Sequence, residues 1–339
     1  MKKIPYLQII KFLKKLGKKI FKRRIKDICI LEGGGGRNNI NVFLRVYFIN
    51  GEKNIIFRYC LHSSDQQKKV YEYQKLKFLN GHPSPKPLYL SQKSQNYFKK
   101  NILILEYLEG LAIKPRFFSR EESQLAAKTL AKLHQANFKE FSLDLEFPPE
   151  GRGDLRTLLL RKILDLKIFF KESKIEHRDK ILKIFRLTEK NILKKINVIK
   201  EKNFSFLHGD LRNHFVKKDN KFYLIDWETS RVGDVAEDLA HFLYFSKTTE
   251  FFKKEFIGHY LKYRPQDKGL LARTKIYIIL EEFFGLKWTW QQSKLRKDKD
   301  EKYYYHHLYE IRYKNIIKAF RFFPQENYYL KAGHLSFYD

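Results

Sequence analysis

The stretch FLHGDLRNHFVKKDNKFYLIDWETSRVGDVAEDLAHFL, residues 206–243, decides how this chain is read. His208 and Asp210 stand just before a short polar loop, and a second carboxylate, Asp226, follows sixteen residues after Asp210. The pair Asp219-Asn220 separates two short apolar runs, Phe215-Val216 and Phe222-Tyr223-Leu224-Ile225. That pattern predicts a β-hairpin with an aspartate at each end and both ends on one side of a cleft. Phosphoryl transfer needs such a pair. One carboxylate faces the attacking hydroxyl, and the other holds magnesium against nucleotide phosphates.

HGDLRNH, followed by LIDWE and GDVAEDLA, resembles the catalytic core of the aminoglycoside phosphotransferase and choline kinase superfamily. It resembles in particular the bacterial choline and ethanolamine kinases of that superfamily. The likeness runs from about residue 28 to about residue 316, with the central block most specific. It implies an α+β, bilobal, protein-kinase-like fold. A small antiparallel β-sheet N-lobe with one helix would bind nucleotide over residues 27–107, and a larger, mainly helical C-lobe would carry catalysis and acceptor binding over 108–339. Residues 1–26 would form a separate basic helix. By the same resemblance Asp210 accepts or orients the acceptor's hydroxyl proton, and His208 supports it through hydrogen bonds in the loop. Asp226 is the main Mg2+ ligand. Asp238 anchors the loop and the helix that follows, and Glu228 is within reach of metal or substrate.

The catalytic loop departs from the family pattern at one point. The second metal ligand normally stands five residues after the catalytic aspartate, where this chain has Phe215. The loop is one residue short and lacks the usual proline. His214 is preferred as the ligand, because the apolar pair after it matches the start of the hairpin strand. Asn213 takes the role if it turns inward. Imidazole is an unusual partner for magnesium, which prefers oxygen. The altered loop therefore also admits a kinase fold that binds nucleotide without turnover.

Upstream, ICILEGGGGRNNINVFLRVYFINGEKNIIFRY (residues 28–59) reads as strand, glycine-rich loop, strand, turn, strand. Gly33, Gly34, Gly35 and Gly36 lack a Cβ, so their backbone N–H groups can approach phosphate oxygens. Asn50-Gly51 is a hairpin turn signal. The last strand reaches Arg58, where the family places its phosphate-binding cation. Val70, Tyr73, Leu76 and Leu79 then recur at helical spacing. Glu72 on that helix matches the family glutamate that pairs with the strand cation. The apolar run 102–110 resembles the last N-lobe strand and hinge, whose backbone near Glu106, Tyr107 and Leu108 would bind the adenine edge. His134, on the predicted helix over 122–138, is expected to be structural.

Protein kinases insert a long peptide-docking segment after the metal-binding aspartate. Here helix resumes within a dozen residues of Asp226, at residues 238–243, which favours a small hydroxylated acceptor. The segment 277–292 is similar to the tryptophan-rich helix of bacterial choline and ethanolamine kinases. Trp227, Trp288 and Trp290 are candidates to enclose a quaternary ammonium by cation–π attraction. The expected reaction is ATP-dependent transfer of the γ-phosphoryl group to a small metabolite, with a choline-like amino alcohol leading. An aminoglycoside, a sugar or a lipid-linked alcohol are the alternatives.

The 339 residues suffice for two buried cores. Sixty-nine Lys and Arg against 38 Asp and Glu give a formal charge of +31, which favours anionic surroundings. No helix-turn-helix, zinc module or RNA-binding signature is present, so specific nucleic-acid binding is not expected. Within residues 1–26, Ile9, Leu13, Leu16 and Ile20 line one helical stripe among many lysines and arginines. Such a helix suits an anionic membrane surface, or packs on the N-lobe with its basic face solvated. No stretch reaches the roughly 20 apolar residues of a spanning helix. Cys29 and Cys60 fall in predicted strands, which fits a reducing cytosol rather than a disulfide framework. The expected place is the cytoplasm, with peripheral contact at the inner face of the membrane as the option residues 1–26 leave open.

Overall fold

Asp219 and Asn220 both adopt positive φ, 49° and 54°, and join β8 (Phe215–Lys218) to β9 (Lys221–Leu224). Two successive left-handed residues match the right-handed twist of the strands they join, so Lys218 pairs directly with Lys221. The computed structural model that shows this describes residues 4–35, 39–61, 66–136, 155–196, 204–246, 249–265, 267 and 269–321.

The chain divides into two compact units. The first comprises Met1–Ile113 and His214–Ser230, and the second Lys114–Asn213 and Arg231–Asp339. The division is not a single cut near residue 107. The hairpin β8–β9 joins the first unit because β6 (Leu111–Ala112) pairs with β8.

The first unit is built on a five-stranded antiparallel sheet. Its strands are β1 (Ile25–Gly35), β2 (Asn39–Phe48), β3 (Glu52–Cys60), β4 (Pro87–Ser91) and β5 (Ile102–Glu106), in the spatial order β1-β2-β3-β5-β4. The β2–β3 turn closes on Gly51 at φ +101°, a backbone that L side chains rarely adopt. Strand β2 alternates buried and half-buried positions, with Val42, Leu44 and Val46 fully inside. After β3 comes α2 (Gln66–Phe78), whose buried residues include the charged Lys69 and Glu72.

Helix α1 (Tyr6–Phe21) supplies much of the sheet's cover. Ile9, Phe12 and Leu13 are buried in one cluster with Val42, Leu44, Ile55 and Phe57. Burying each such side chain stabilises by about 1.5–3 kcal/mol. Of the two readings left open for residues 1–26, the structure shows packing: the apolar face of α1 is occupied by the protein's own sheet. No described helix is long and apolar enough to cross a membrane.

The second unit is mainly helical. Its helices are α3 (Arg120–Leu133), α4 (Leu155–Glu172), α5 (Arg178–Ile196), α6 (Val235–Phe245), α7 (Glu250–Tyr263), α8 (Leu270–Leu295) and α9 (Lys299–Arg321). A short antiparallel ladder joins β7 (Ser205–Leu207) to β10 (Arg231–Gly233). Ser119 caps α3 through a reciprocal bond with Glu122, and Asp234 caps α6 by accepting from the Ala236 N–H. Asp234 also accepts from Arg273 Nε at 2.9 Å, and Arg273 reaches Asp267 with both terminal nitrogens at 2.8 and 2.7 Å. This buried fork ties the start of α6 to α8.

Candidate active site

In the first unit, β3 delivers Arg58 to a buried cluster of charge. Its Nε donates to Asn41 Oδ1 at 2.7 Å and its Nη1 to Glu72 Oε1 at 2.5 Å, with Asp226 Oδ1 3.4 Å away. Glu72 also accepts from Lys69 Nζ at 2.5 Å. Lys69 stands 3.3 Å from Glu228 Oε2, which accepts from Asn39 Nδ2 at 3.0 Å. Burial alone would raise the Glu72 pKa, but the charges of Lys69 and Arg58 pull it below the usual carboxylate range.

Asp226 is different. Burial raises its pKa, the Glu72 and Glu228 charges add to that, and Arg58 and His214 only partly oppose it. Its backbone is left-handed, φ 68°, which is unusual outside glycine and holds the carboxylate at the end of β9. His214 Nε2 lies 3.7 Å from Asp226 Oδ2, whereas Asn213 is exposed and belongs to the second unit. Three carboxylates (Glu72, Asp226, Glu228) thus face two cations (Arg58, Lys69). That deficit of positive charge fits a bound dication, with Asp226 as its oxygen donor and His214 beside it.

In the second unit, the loop after β7 is pinned from behind. Asp238 on α6 accepts from the backbone N–H of His208 at 2.7 Å and of Gly209 at 2.8 Å. Its Oδ2 also meets His134 Nε2 at 3.2 Å, and His134 Nδ1 meets the Tyr260 hydroxyl at 2.7 Å. His208 is fully buried, and its Nδ1 accepts from the Asp210 N–H at 3.3 Å, so it shapes the loop as a positioning group. The Asp210 carboxylate is gripped by Arg212 through Nε at 2.8 Å and Nη2 at 3.0 Å. His241 Nε2 approaches Asp210 Oδ1 at 3.1 Å, and its Nδ1 lies 3.4 Å from Glu281 Oε2. Burial would lower the His241 pKa, but hydrogen bonds to Asp210 and Glu281, with their charges, raise it to about 9. The imidazole is therefore a cation at neutral pH. Beside Glu281 on α8, Glu282 is 6% exposed, with the Tyr244 hydroxyl as its hydrogen-bonding neighbour and Arg312 Nη1 3.6 Å away. Burial pushes the Glu282 pKa up to about 6 against the pull of Arg312.

The glycine run is placed differently from its reading as a loop. Gly33, Gly34 and Gly35 continue β1, paired with Val42, Asn41 and Ile40. A Cβ at Gly33 would collide with the Tyr6 ring and hydroxyl, so that glycine makes room for α1. Gly36 lies outside the described residues. At the hinge, the Glu106 and Tyr107 N–H groups are taken by Lys86 and Asn54 carbonyls at 2.9 and 3.2 Å, and Leu108 is buried. Two of the three tryptophans are core: Trp227 is 1% exposed with its indole N–H on the Leu224 carbonyl, and Trp290 is 6% exposed under Lys294. Trp288 is half-exposed and meets the Tyr305 ring edge-on at 5.3 Å. Sequence reading missed Lys69, Arg212, His241 and Glu281. The one available signal was a histidine inside the otherwise apolar helix 239–245.

Set beside known structures, the fold is similar to those of an ethanolamine kinase and an aminoglycoside phosphotransferase. The structure of Plasmodium vivax ethanolamine kinase Pv091845 matches 94% of this chain and 90% of its own, with a TM-score of 0.67 and 15% identity. A gentamicin complex of APH(2")-IIa matches 91% of this chain and 97% of its own, with a TM-score of 0.60 and 18% identity. The sequence model of the phosphotransferase enzyme family matches residues 41–270, and the chain belongs to that family. A curated relative, "Protein LicA homolog" of Metamycoplasma hominis, is 28% identical over 162 residues, which are 48% of this chain and 57% of that protein.

Proposed function

We propose that this chain is an ATP-dependent small-molecule kinase, transferring the γ-phosphoryl group to an alcohol, with a choline-like amino alcohol as the leading acceptor. The observation that carries the kinase reading is Arg58, clamped by Glu72 at 2.5 Å and held 3.4 Å from Asp226. A guanidinium so fixed presents its remaining donors to phosphate oxygens with little ordering left to pay for. Lys69 keeps Glu72 ionised and in place. The Leu108 N–H is the hinge donor left to meet an adenine edge. Magnesium, held by Asp226 with His214 preferred over Asn213, would neutralise phosphate charge.

On the acceptor side, Asp210 orients the hydroxyl and takes its proton. Arg212 and the imidazolium of His241 both contact this carboxylate, so the acceptor displaces one of these contacts as it binds. Asp210, Glu281 and Glu282 stand among Arg212, the His241 imidazolium and Arg312, so a cationic acceptor would reach these carboxylates by displacing one of those partners. The ethanolamine kinase of similar fold is, by its name, a kinase of a cationic amino alcohol, which supports the same acceptor class. An aminoglycoside is the next acceptor in order, and its amino groups suit the same carboxylates.

A second reading, a fold that binds nucleotide without turnover, draws on the two-point grip of Arg212 on Asp210. Magnesium-dependent ATP consumption against amino alcohols, aminoglycosides, sugars and lipid headgroups separates the two. The kinase reading expects one acceptor to stimulate the wild type. Asp210→Asn should then lose about a hundredfold to ten-thousandfold in rate with nucleotide affinity kept. Nucleotide binding with no stimulation by any acceptor would favour the second reading.

A further inference from the structure

We propose a second metal site, for zinc, where the loop between α4 and α5 meets α9. Glu176, His306 and Glu310 each offer one ligand atom, and these atoms lie within 4.8 Å of one another. His177 stands at the edge of this group, with Nε2 3.6 Å from Glu310 Oε1, and would complete a fourth position by turning toward the other three; His306 Nε2 stands 3.8 Å from Glu176 Oε2. His306 and Glu310 are four residues apart on α9 and so share one face of the helix. The loop contributes two consecutive residues.

Both arms are fixed in advance. His177 has a left-handed backbone, φ 58°, and its ring stacks on Tyr313 at 4.1 Å and 11°. His306 lies nearly parallel to the Tyr309 ring at 6.1 Å, and the Tyr309 hydroxyl donates to the Glu176 carbonyl. The loop is thus tied to α9 beside the three donors that converge, Glu176, His306 and Glu310.

Ion pairing alone explains the cluster poorly. Separations of 3.6 and 3.8 Å are too long for direct N–H···O bonds. Around a tetrahedral zinc with donors at about 2.0–2.1 Å, neighbouring donors stand about 3.3 Å apart. The observed pairs reach that spacing with shifts of about 0.3–0.5 Å, and side-chain rotation closes the widest gap. Two imidazoles with two carboxylates select zinc over magnesium or calcium, which favour all-oxygen shells. The four side chains are between 28% and 45% exposed, so an ion can enter without unfolding. Binding would clip the α4–α5 loop to α9 and stabilise the helical unit.

The test uses the full chain, stripped with chelator and kept in excess magnesium so that positions favouring a hard ion are filled. Zinc titration by calorimetry should show one equivalent bound and a rise in thermal midpoint. His306→Gln and Glu310→Gln, both half-exposed on a helix that glutamine suits, should each weaken binding by about tenfold or more. Absorption-edge spectroscopy of the wild-type zinc complex should report nitrogen and oxygen neighbours with imidazole scattering. This readout decides the matter even where a variant fails to fold. Absence of binding, unchanged affinity in both variants, or a shell of sulfur or of oxygen alone would overturn the proposal.

Discussion

In the first unit Glu72 is buried among charges, whereas in the second Asp238 is buried among amides. Glu72 accepts from the Arg58 guanidinium and the Lys69 ammonium, both at 2.5 Å. Asp238 accepts from two successive backbone N–H groups at 2.7 and 2.8 Å, with His134 at 3.2 Å. Burial works to raise both pKa values, and in both the partners win and lower them. The partners differ in what they hold. Glu72 fixes a side chain that must stay charged beside a phosphate. Asp238 fixes the backbone of a loop, and so the direction in which Asp210 points. Removing the first takes the shortest ion pair from two buried cations and leaves them only the longer ones to Asp226 and Glu228. Removing the second strands neutral donors, which costs less.

The largest effect is therefore expected at Glu72. Glu72→Gln keeps the shape but leaves Arg58 and Lys69 without their shared counter-charge, at a cost of about 3–5 kcal/mol in urea unfolding. Nucleotide affinity should fall with it, because the guanidinium loses its orientation. A loss under about 1 kcal/mol would show that Asp226 and Glu228 compensate, and the contrast between the units would not stand. Asp238→Asn comes next. The amide oxygen still accepts one N–H, so one donor is stranded, at about 1–3 kcal/mol. Its mark should fall on turnover, with nucleotide affinity unchanged. A parallel drop in nucleotide affinity would mean that the loop does not act separately from the charged cluster.

The same contrast explains what could be read from the sequence. Asp219-Asn220 and Asp226 stand out because local spacing constrains them, as a tight turn and an aspartate at the end of the hairpin it closes, whereas Glu72 and Asp238 stand out through their resemblance to family motifs. Lys69 does not, since nothing separates it from neighbouring solvated lysines until Glu228, 159 residues away, is brought beside it. Arg212 sits two residues from Asp210, yet its grip depends on how the shortened loop turns. His241 needed α8 in place before Glu281 could be its second partner. Amphipathic period could not say whether α1 faces lipid or sheet, because both demand the same stripe. Gly33 looked like loop chemistry for a related reason: the Tyr6 ring that excludes a side chain there comes from another element.

His241 gives the smallest and most specific prediction. Its folded pKa of about 9 lies above the ordinary histidine value near 6.5, owing to Asp210 and Glu281 acting against burial. Between those pH values the folded protein keeps a proton that the unfolded chain releases. Stability from this group is therefore fully present below about pH 6.5 and lost as pH rises through about 9, with a slope of up to about 1.4 kcal/mol per pH unit. Urea titrations across that window should show the decline in the wild type and a flatter profile in His241→Gln. Arg212 still holds Asp210 in that variant, so turnover at neutral pH should fall far less than in Asp210→Asn. If His241→Gln keeps the full slope, the ring is neutral in the folded state, and Arg212 alone carries the positive charge beside Asp210.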